Sequence, residues 1–258
     1  MEFKQKIPPL IAQYLGIFLQ RRYALGHRAL MYHSVGACVE NDPRGLFSIK
    51  PELFSSHIEW LAGLGQIQVL SLSEGLKDLS RPTVSITFDD GYEDNFKVAA
   101  PLLLKQSLPF TVFVTSDSIK KHKKCFLTPE DLKELSSLPG VTIGAHGKSH
   151  VPLVKCNEAD LFIELSESKK YLEDLIGKPV ITMSYPHGSV DDEVKKVVEK
   201  CGYLNAATSF FGINTLNVDV FSLRRTEITG HDSLSVFQEK IWGWWDWYRF
   251  KQWVARSA

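Results

Sequence analysis

The chain is poor in cysteine and carries no excess of charge. Its four cysteines, Cys38, Cys125, Cys156 and Cys201, are far apart among 258 residues and form no CxxC pair. That spacing argues against a structural zinc ribbon and for a reducing compartment. Thirty basic and thirty acidic side chains cancel to a formal net charge of zero. No global electrostatic pull towards nucleic acid follows, and no nucleic-acid partner is expected. Internal repeats and low-complexity tracts are missing as well. The N-terminal stretch MEFKQKIPPLIAQYLGIFLQRRY has only a short apolar run, holds two prolines and is followed by no small-residue cleavage site. Neither a secretory signal nor a membrane-spanning helix is expected there, and the expected location is cytoplasmic. Apolar residues at 44% and charged residues at 23% are ordinary globular values. They fit a single domain over residues 1–258, with an N-terminal extension over 1–26.

Strand-like and helix-like runs alternate along the chain. HRALMYHSV (27–35), QIQVLSL (66–72), TVSITF (83–88), PFTVFVT (109–115), VTIGAH (141–146), VITMSYP (180–186), LNAATS (204–209) and FSLRRTEI (221–228) read as strands. Residues 51–65, 94–107, 128–138, 158–177 and 191–202 read as helices. Thr128 stands as an N-cap, and Gly177 closes the long amphipathic helix. A last helix is expected over 234–258. The alternation predicts an α/β fold, a parallel sheet or barrel with helices outside. Functional groups should then collect where strands end.

Three strand ends carry the chemistry. Asp89-Asp90-Gly91 sets two carboxylates side by side after an apolar run. Each is costly to bury without a partner. GAHGKSH places His146 and His150 four apart, and SYPHG covers residues 184–188. Two histidines and a carboxylate suit zinc, and the same set holds iron in oxygen chemistry, so the residues alone leave the metal open. A pair of surface histidines in a loop is the plain alternative for a lone H-x3-H.

ITFDDGYEDN, IGAHGKSH and SYPHG resemble the motifs of NodB-like polysaccharide deacetylases. LMYHSV, FSIKPELFSSHIEWLAGLG, LSLSEGL and FSLRR are similar to further segments of the exopolysaccharide-type subgroup, so the resemblance spans roughly residues 28–228. It implies an irregular (β/α) barrel of about seven strands and metal-dependent hydrolysis of an N-acyl group, acetyl or formyl, from an amino sugar. It also implies Asp89 as general base and Asp90, His146 and His150 as ligands of one divalent metal, with zinc expected. By the same resemblance the backbone amide of His187 stabilises the oxyanion. Tyr92, Tyr185, Pro186 and His33 are the expected substrate contacts. The cytoplasmic expectation suggests a lipid- or nucleotide-linked precursor of a surface polysaccharide as substrate. An inactive saccharide-binding barrel and a hydrolase of a non-sugar amide are the alternatives.

The sequence departs from the family pattern at three places. Gly147 stands where a Ser or Thr follows the first metal histidine, which removes a loop-fixing hydrogen bond and is expected to loosen the site. His187 replaces an aromatic. Ser184 and Tyr185 stand where many members have an arginine, so the orienting cation for Asp89 is sought in Arg225, with Arg224 the alternative. For the general acid, His231 and His33 both stand as candidates; His231 reads equally well as part of a helix-capping loop.

Five of the six tryptophans lie between residues 242 and 253, interleaved with Lys240, Arg249, Lys251 and Arg256. Such a helix suits peripheral contact with the inner face of a membrane. The other reading is that the aromatics cover the barrel or a dimer contact.

Overall fold

A computed structural model describes residues 25–36, 39 and 42–248. In chain order the strands are β1 (Gly26–Tyr32), β2 (Ser34–Val35), β3 (Ser48–Ile49), β4 (Gln68–Val69), β5 (Pro82–Phe88), β6 (Phe110–Val114), β7 (Val141–Ala145), β8 (Thr182–Ser184), β9 (Asn205–Phe211) and β10 (Leu223–Glu227). Seven of them close a parallel barrel in the order β1-β5-β6-β7-β8-β9-β10, with β10 returning to β1. β4 adds to the early half of β5, and β2 and β3 pair separately. This is the irregular (β/α) barrel expected from the sequence.

Alternation along each strand sorts the side chains. On β5, Val84, Ile86 and Phe88 join the large core between barrel and helices, together with Leu30 and Tyr32 of β1. The intervening Ser85 and Thr87 face the barrel interior, which is small and polar apart from a cluster of Ala29, Leu72, Phe113, Ala207 and Leu223. His27 closes the lower end, 2.9 Å from Thr83 Oγ1 and 2.7 Å from Ser85 Oγ. A Cβ on Gly75 would fall 2.1 Å from the His27 ring, so only glycine fits there.

Several sequence expectations need correction. The strand expected over 66–72 is only β4; Ser71 instead forms a capping box with Glu74 and starts a helical turn, Leu72–Gly75. A short helix, Ser116–Lys120, follows β6 where none was expected. The helix over 94–107 begins as a π-turn, Asn95–Ala99, before Ala100–Lys105, whose first turn accommodates Pro101. The expected final helix is helical over Leu234–Ile241 and then interrupted, and its residues 249–258 lie outside the described residues. The interruption arises because Gly243 turns left-handed at φ 82°, and residues 242–247 form turns.

Those turns lie against the barrel. Trp245 is 9% exposed, and its indole N–H donates to Glu239 Oε2 at 3.0 Å. Trp242 meets Trp60 edge-on at 6.0 Å. Arg28, buried on β1, donates to both oxygens of Asp246 at 2.8 and 2.9 Å and to Thr226 Oγ1. Packing thus accounts for the tryptophans through Trp245. Arg249, Lys251, Trp253 and Arg256 lie outside the described residues. Among the described residues, no helix is long and apolar enough to cross a membrane.

Asp246→Ala should leave the Arg28 guanidinium buried without its carboxylate. Urea unfolding is expected to show a loss of about 3–5 kcal/mol. A loss below about 1 kcal/mol would mean that the ion pair does not hold the C-terminal turns.

Candidate active site

Two adjacent residues on an extended strand face opposite sides. Asp89 follows Phe88 and so points into the barrel. Asp90 escapes the alternation by adopting φ 74°, and Gly91 follows at φ 83°. Both carboxylates consequently line one cleft of about 570 Å³ at the C-terminal end of the barrel. His150 (φ 63°) and His187 (φ 57°) line the same cleft in left-handed conformations. Such conformations cost of order 1–3 kcal/mol each in non-glycine residues and concentrate at functional sites.

Asp89 is 3% exposed. Arg225 binds it with two parallel hydrogen bonds, Nη1 to Oδ1 at 2.6 Å and Nη2 to Oδ2 at 2.7 Å. The guanidinium also donates through Nε to the Thr208 carbonyl and through Nη1 to Thr87 Oγ1, and it lies over the Phe113 ring. Burial alone would raise the Asp89 carboxyl; the Arg225 charge outweighs it and holds the group below the usual carboxylate range. Ser184, standing where an arginine was missing, donates to Asp89 Oδ1 at 3.2 Å. Arg224 points elsewhere, towards the Phe211 carbonyl.

Asp90, His146 and His150 each offer one ligand atom, all within 4.8 Å of one another. Asp90 Oδ1 is 3.4 Å from His146 Nε2 and 3.2 Å from His150 Nε2. His146 Nδ1 lies 2.9 Å from the Ser184 carbonyl, which can only accept, so that nitrogen carries the proton. Burial pushes the His146 pKa down to about 4, so the ring is neutral at pH 7. Its Nε2 then presents a lone pair to a carboxylate oxygen. A cation between the two relieves that acceptor–acceptor approach, so this donor set fits a divalent metal. Burial also works against the Asp90 carboxylate, but the hydrogen bond from His150 outweighs it and holds Asp90 well below the ordinary range.

The expected loosening at Gly147 is answered by Glu164, on the helix Glu158–Ile176. Its Oε2 accepts from the amides of Lys148 and Ser149 at 3.0 and 2.9 Å, and its Oε1 accepts from Ser149 Oγ. Ser168 Oγ donates to the Gly147 carbonyl. Glycine is also needed there: φ is +70°, and a Cβ would press on Pro186 at 3.2 Å.

The other sequence candidates divide. Tyr92, Tyr185, His187 and His33 line the cleft; Pro186 is buried beneath it, against Gly147. The Tyr185 hydroxyl is used in a hydrogen bond to the Phe221 carbonyl. Within the turn at 185–189, the Gly188 and Ser189 amides bond back to Tyr185 and Pro186, and the His187 amide does not. His33 packs on Phe47 at 4.7 Å, and its buried Nδ1 has no hydrogen-bond partner among the described residues. His231 does not line the cleft. It is exposed, 2.7 Å from the Arg44 carbonyl, in the loop before the Ser233 cap. Glu227, two residues beyond Arg225 on the same strand face, lines the cleft and was not anticipated; the strand alternation that gives Arg225 an inward side chain also points to it.

A model of the polysaccharide deacetylase family matches residues 76–206. YxkH of Bacillus subtilis (strain 168), which carries a polysaccharide-deacetylase name, is 32% identical over 215 residues, covering 81% of this chain and 73% of its own. The chain belongs to the polysaccharide deacetylase family. The poly-beta-1,6-N-acetyl-D-glucosamine N-deacetylase of Staphylococcus aureus (strain MRSA252) is 27% identical over 172 residues, 60% of this chain and 59% of that one. Among solved structures, the Streptococcus pyogenes deacetylase PplD superposes with a TM-score of 0.76 at 23% identity, over 85% of this chain and 99% of that one. IcaB from Ammonifex degensii gives 0.74 at 20%, over 85% and 98%. At these identities the structural likeness is one of fold.

Arg225→Met should strand the Asp89 carboxylate in the barrel. Denaturant unfolding at pH 7 is expected to show a loss of about 3–5 kcal/mol. The wild type holds Asp89 ionised with a lowered pKa, a contribution present above the unfolded value and lost as pH falls through the folded one. The variant's buried acid instead takes up its proton at higher pH. The gap should therefore narrow as the solution is acidified; a gap independent of pH would contradict the pairing.

Proposed function

We propose that the protein hydrolyses the N-acetyl group of an amino sugar in a surface polysaccharide or its precursor, using one divalent metal held by Asp90, His146 and His150. The reading is carried by one observation: a three-ligand cluster within 4.8 Å stands beside a buried, arginine-clamped carboxylate in a single cleft. Membership of the polysaccharide deacetylases supports a saccharide substrate. The name of the Staphylococcus aureus relative supports a poly-N-acetylglucosamine-like chain.

When bound, the metal supplies polarisation of the acyl oxygen and of a water molecule, and a mixed nitrogen–oxygen donor set suits zinc. Asp89, kept ionised by Arg225, accepts the proton from that water as its oxygen attacks the carbonyl carbon. The His187 amide donates to the developing oxyanion. His33 gives a proton to the sugar nitrogen as the C–N bond breaks, leaving acetate and a free amine. His33 is preferred to His231 because it lines the cleft together with Asp89 and Asp90, which His231 does not.

Asp89→Asn should retain metal and lose at least about 10³-fold in acetate release from acetylated glucosamine oligomers, whereas His150→Ala should lose the metal itself. His33→Gln should slow amide hydrolysis by about 10²–10⁴-fold. The same variant should lose much less on p-nitrophenyl acetate, whose leaving group needs no proton. Equal losses on both substrates would remove His33 as the proton donor. Wild-type turnover by Asp89→Asn would contradict the proposed reaction.

A further inference from the structure

The segment between Ile119 and Phe126 reads KKHKKC, and its lysines are not spent alike. Lys121 pairs with Asp117 at 2.6 Å, and Lys120 lies 5.9 Å from the centre of the Tyr171 ring. Lys123 and Lys124 are exposed, line the cleft, and have no carboxylate within ion-pair distance among the described residues.

These two lysines are held in place by the segment that carries Asp90. His122 (φ 49°) and Cys125 (φ 69°) turn left-handed on either side of them. The Lys123 amide donates to the Ser118 carbonyl at 3.0 Å, and the Phe126 amide to the Lys123 carbonyl at 3.3 Å. The Glu93 amide donates to the Cys125 carbonyl, and the Leu127 amide to the Gly91 carbonyl. Phe126 stacks on Tyr92 at 4.8 Å, and the two residues form an isolated bridge. A loop tied in this way presents its charges at small further entropic cost.

The charge balance of the cleft points the same way. Among the described residues its lining holds three carboxylates, Asp89, Asp90 and Glu227. Asp89 is neutralised by Arg225, and Asp90 by the cation it is proposed to hold. Among the described lining residues, Glu227 then stands alone against two lysines, in a chain whose net charge is zero. Local positive charge at a cleft mouth raises the affinity and the encounter rate of anionic ligands.

We propose that Lys123 and Lys124 form a subsite for an anionic group on the saccharide, a phosphate or a uronate carboxylate, next to the sugar that enters the metal cleft. The proposal rests on the reading of the cleft as a saccharide site and narrows it to a charged saccharide. Two adjacent ammonium groups suit a compact anion, which they meet as point charges with rotatable donors.

The test is calorimetric binding to zinc-loaded protein of N-acetylglucosamine, N-acetylglucosamine 1-phosphate and a glucuronate-containing N-acetylated disaccharide. Wild type should bind at least one anionic probe about tenfold or more tightly than the neutral sugar, less so as salt rises. The arm with the preference distinguishes phosphate from carboxylate. In Lys123→Ala/Lys124→Ala, with its thermal transition checked against wild type, the preference should fall to within about twofold. Equal affinity of wild type for all three probes would overturn the subsite. So would a preference that survives in the double variant, which would put the anion on the metal. Acetate release from the neutral sugar, measured in the same preparations, reports separately on the deacetylase reading.

Discussion

A carboxylate at 3% exposure inside a barrel is tolerable only if something cancels its charge, and here that is the Arg225 guanidinium. The pair sets much of the architecture around it. β5 and β10 both flank β1: Ala29 pairs with Ser85 on one side and Arg225 on the other. Asp89 and Arg225 therefore meet over the inner face of β1. Room for so large a side chain requires small inward neighbours, and Thr87, Thr208 and Ser184 supply both the space and hydrogen bonds. The Arg225 side chain is in turn fixed by the Thr208 carbonyl of β9. Four strands, β5, β8, β9 and β10, thus converge on one ion pair.

That pair frees Asp90 for a different task. Because Asp89 has its cation, the left-handed turn at Asp90 can direct a second carboxylate to His146 and His150 without setting two uncompensated charges together. Ser184 links the two halves, since its hydroxyl reaches Asp89 while its carbonyl accepts the His146 Nδ1 proton. The arginine missing from this motif is replaced by a serine that leaves room for one arriving from β10. Glu164 holds the loop between the histidines from the outside.

The barrel and the strand-end motifs were legible because both follow from local pattern: apolar runs of strand length, alternating with amphipathic helices and ending in chemically unusual residues. The choice between Arg224 and Arg225 was less so. Adjacent residues face opposite sides of a strand, and the inward one depends on the register with β9, which shifts between Leu223 and Arg225. Glu164 was not legible, since nothing in a helical heptad says that one glutamate will turn towards a loop fifteen residues earlier. Gly147 read as a loss because its contact with Pro186 is tertiary. The C-terminal helix read as unbroken because its aromatics continue past Gly243, whose left-handed conformation interrupts it.

The central claim is a division of labour, in which Asp90 holds metal with the two histidines while Asp89 stays on Arg225. Anomalous diffraction at the zinc edge from metal-loaded crystals tests it directly. The account predicts one peak at about 2.0–2.2 Å from Asp90 Oδ, His146 Nε2 and His150 Nε2, with Asp89 still bidentate to Arg225. A peak ligated by Asp89, or none within reach of both histidines, would contradict it.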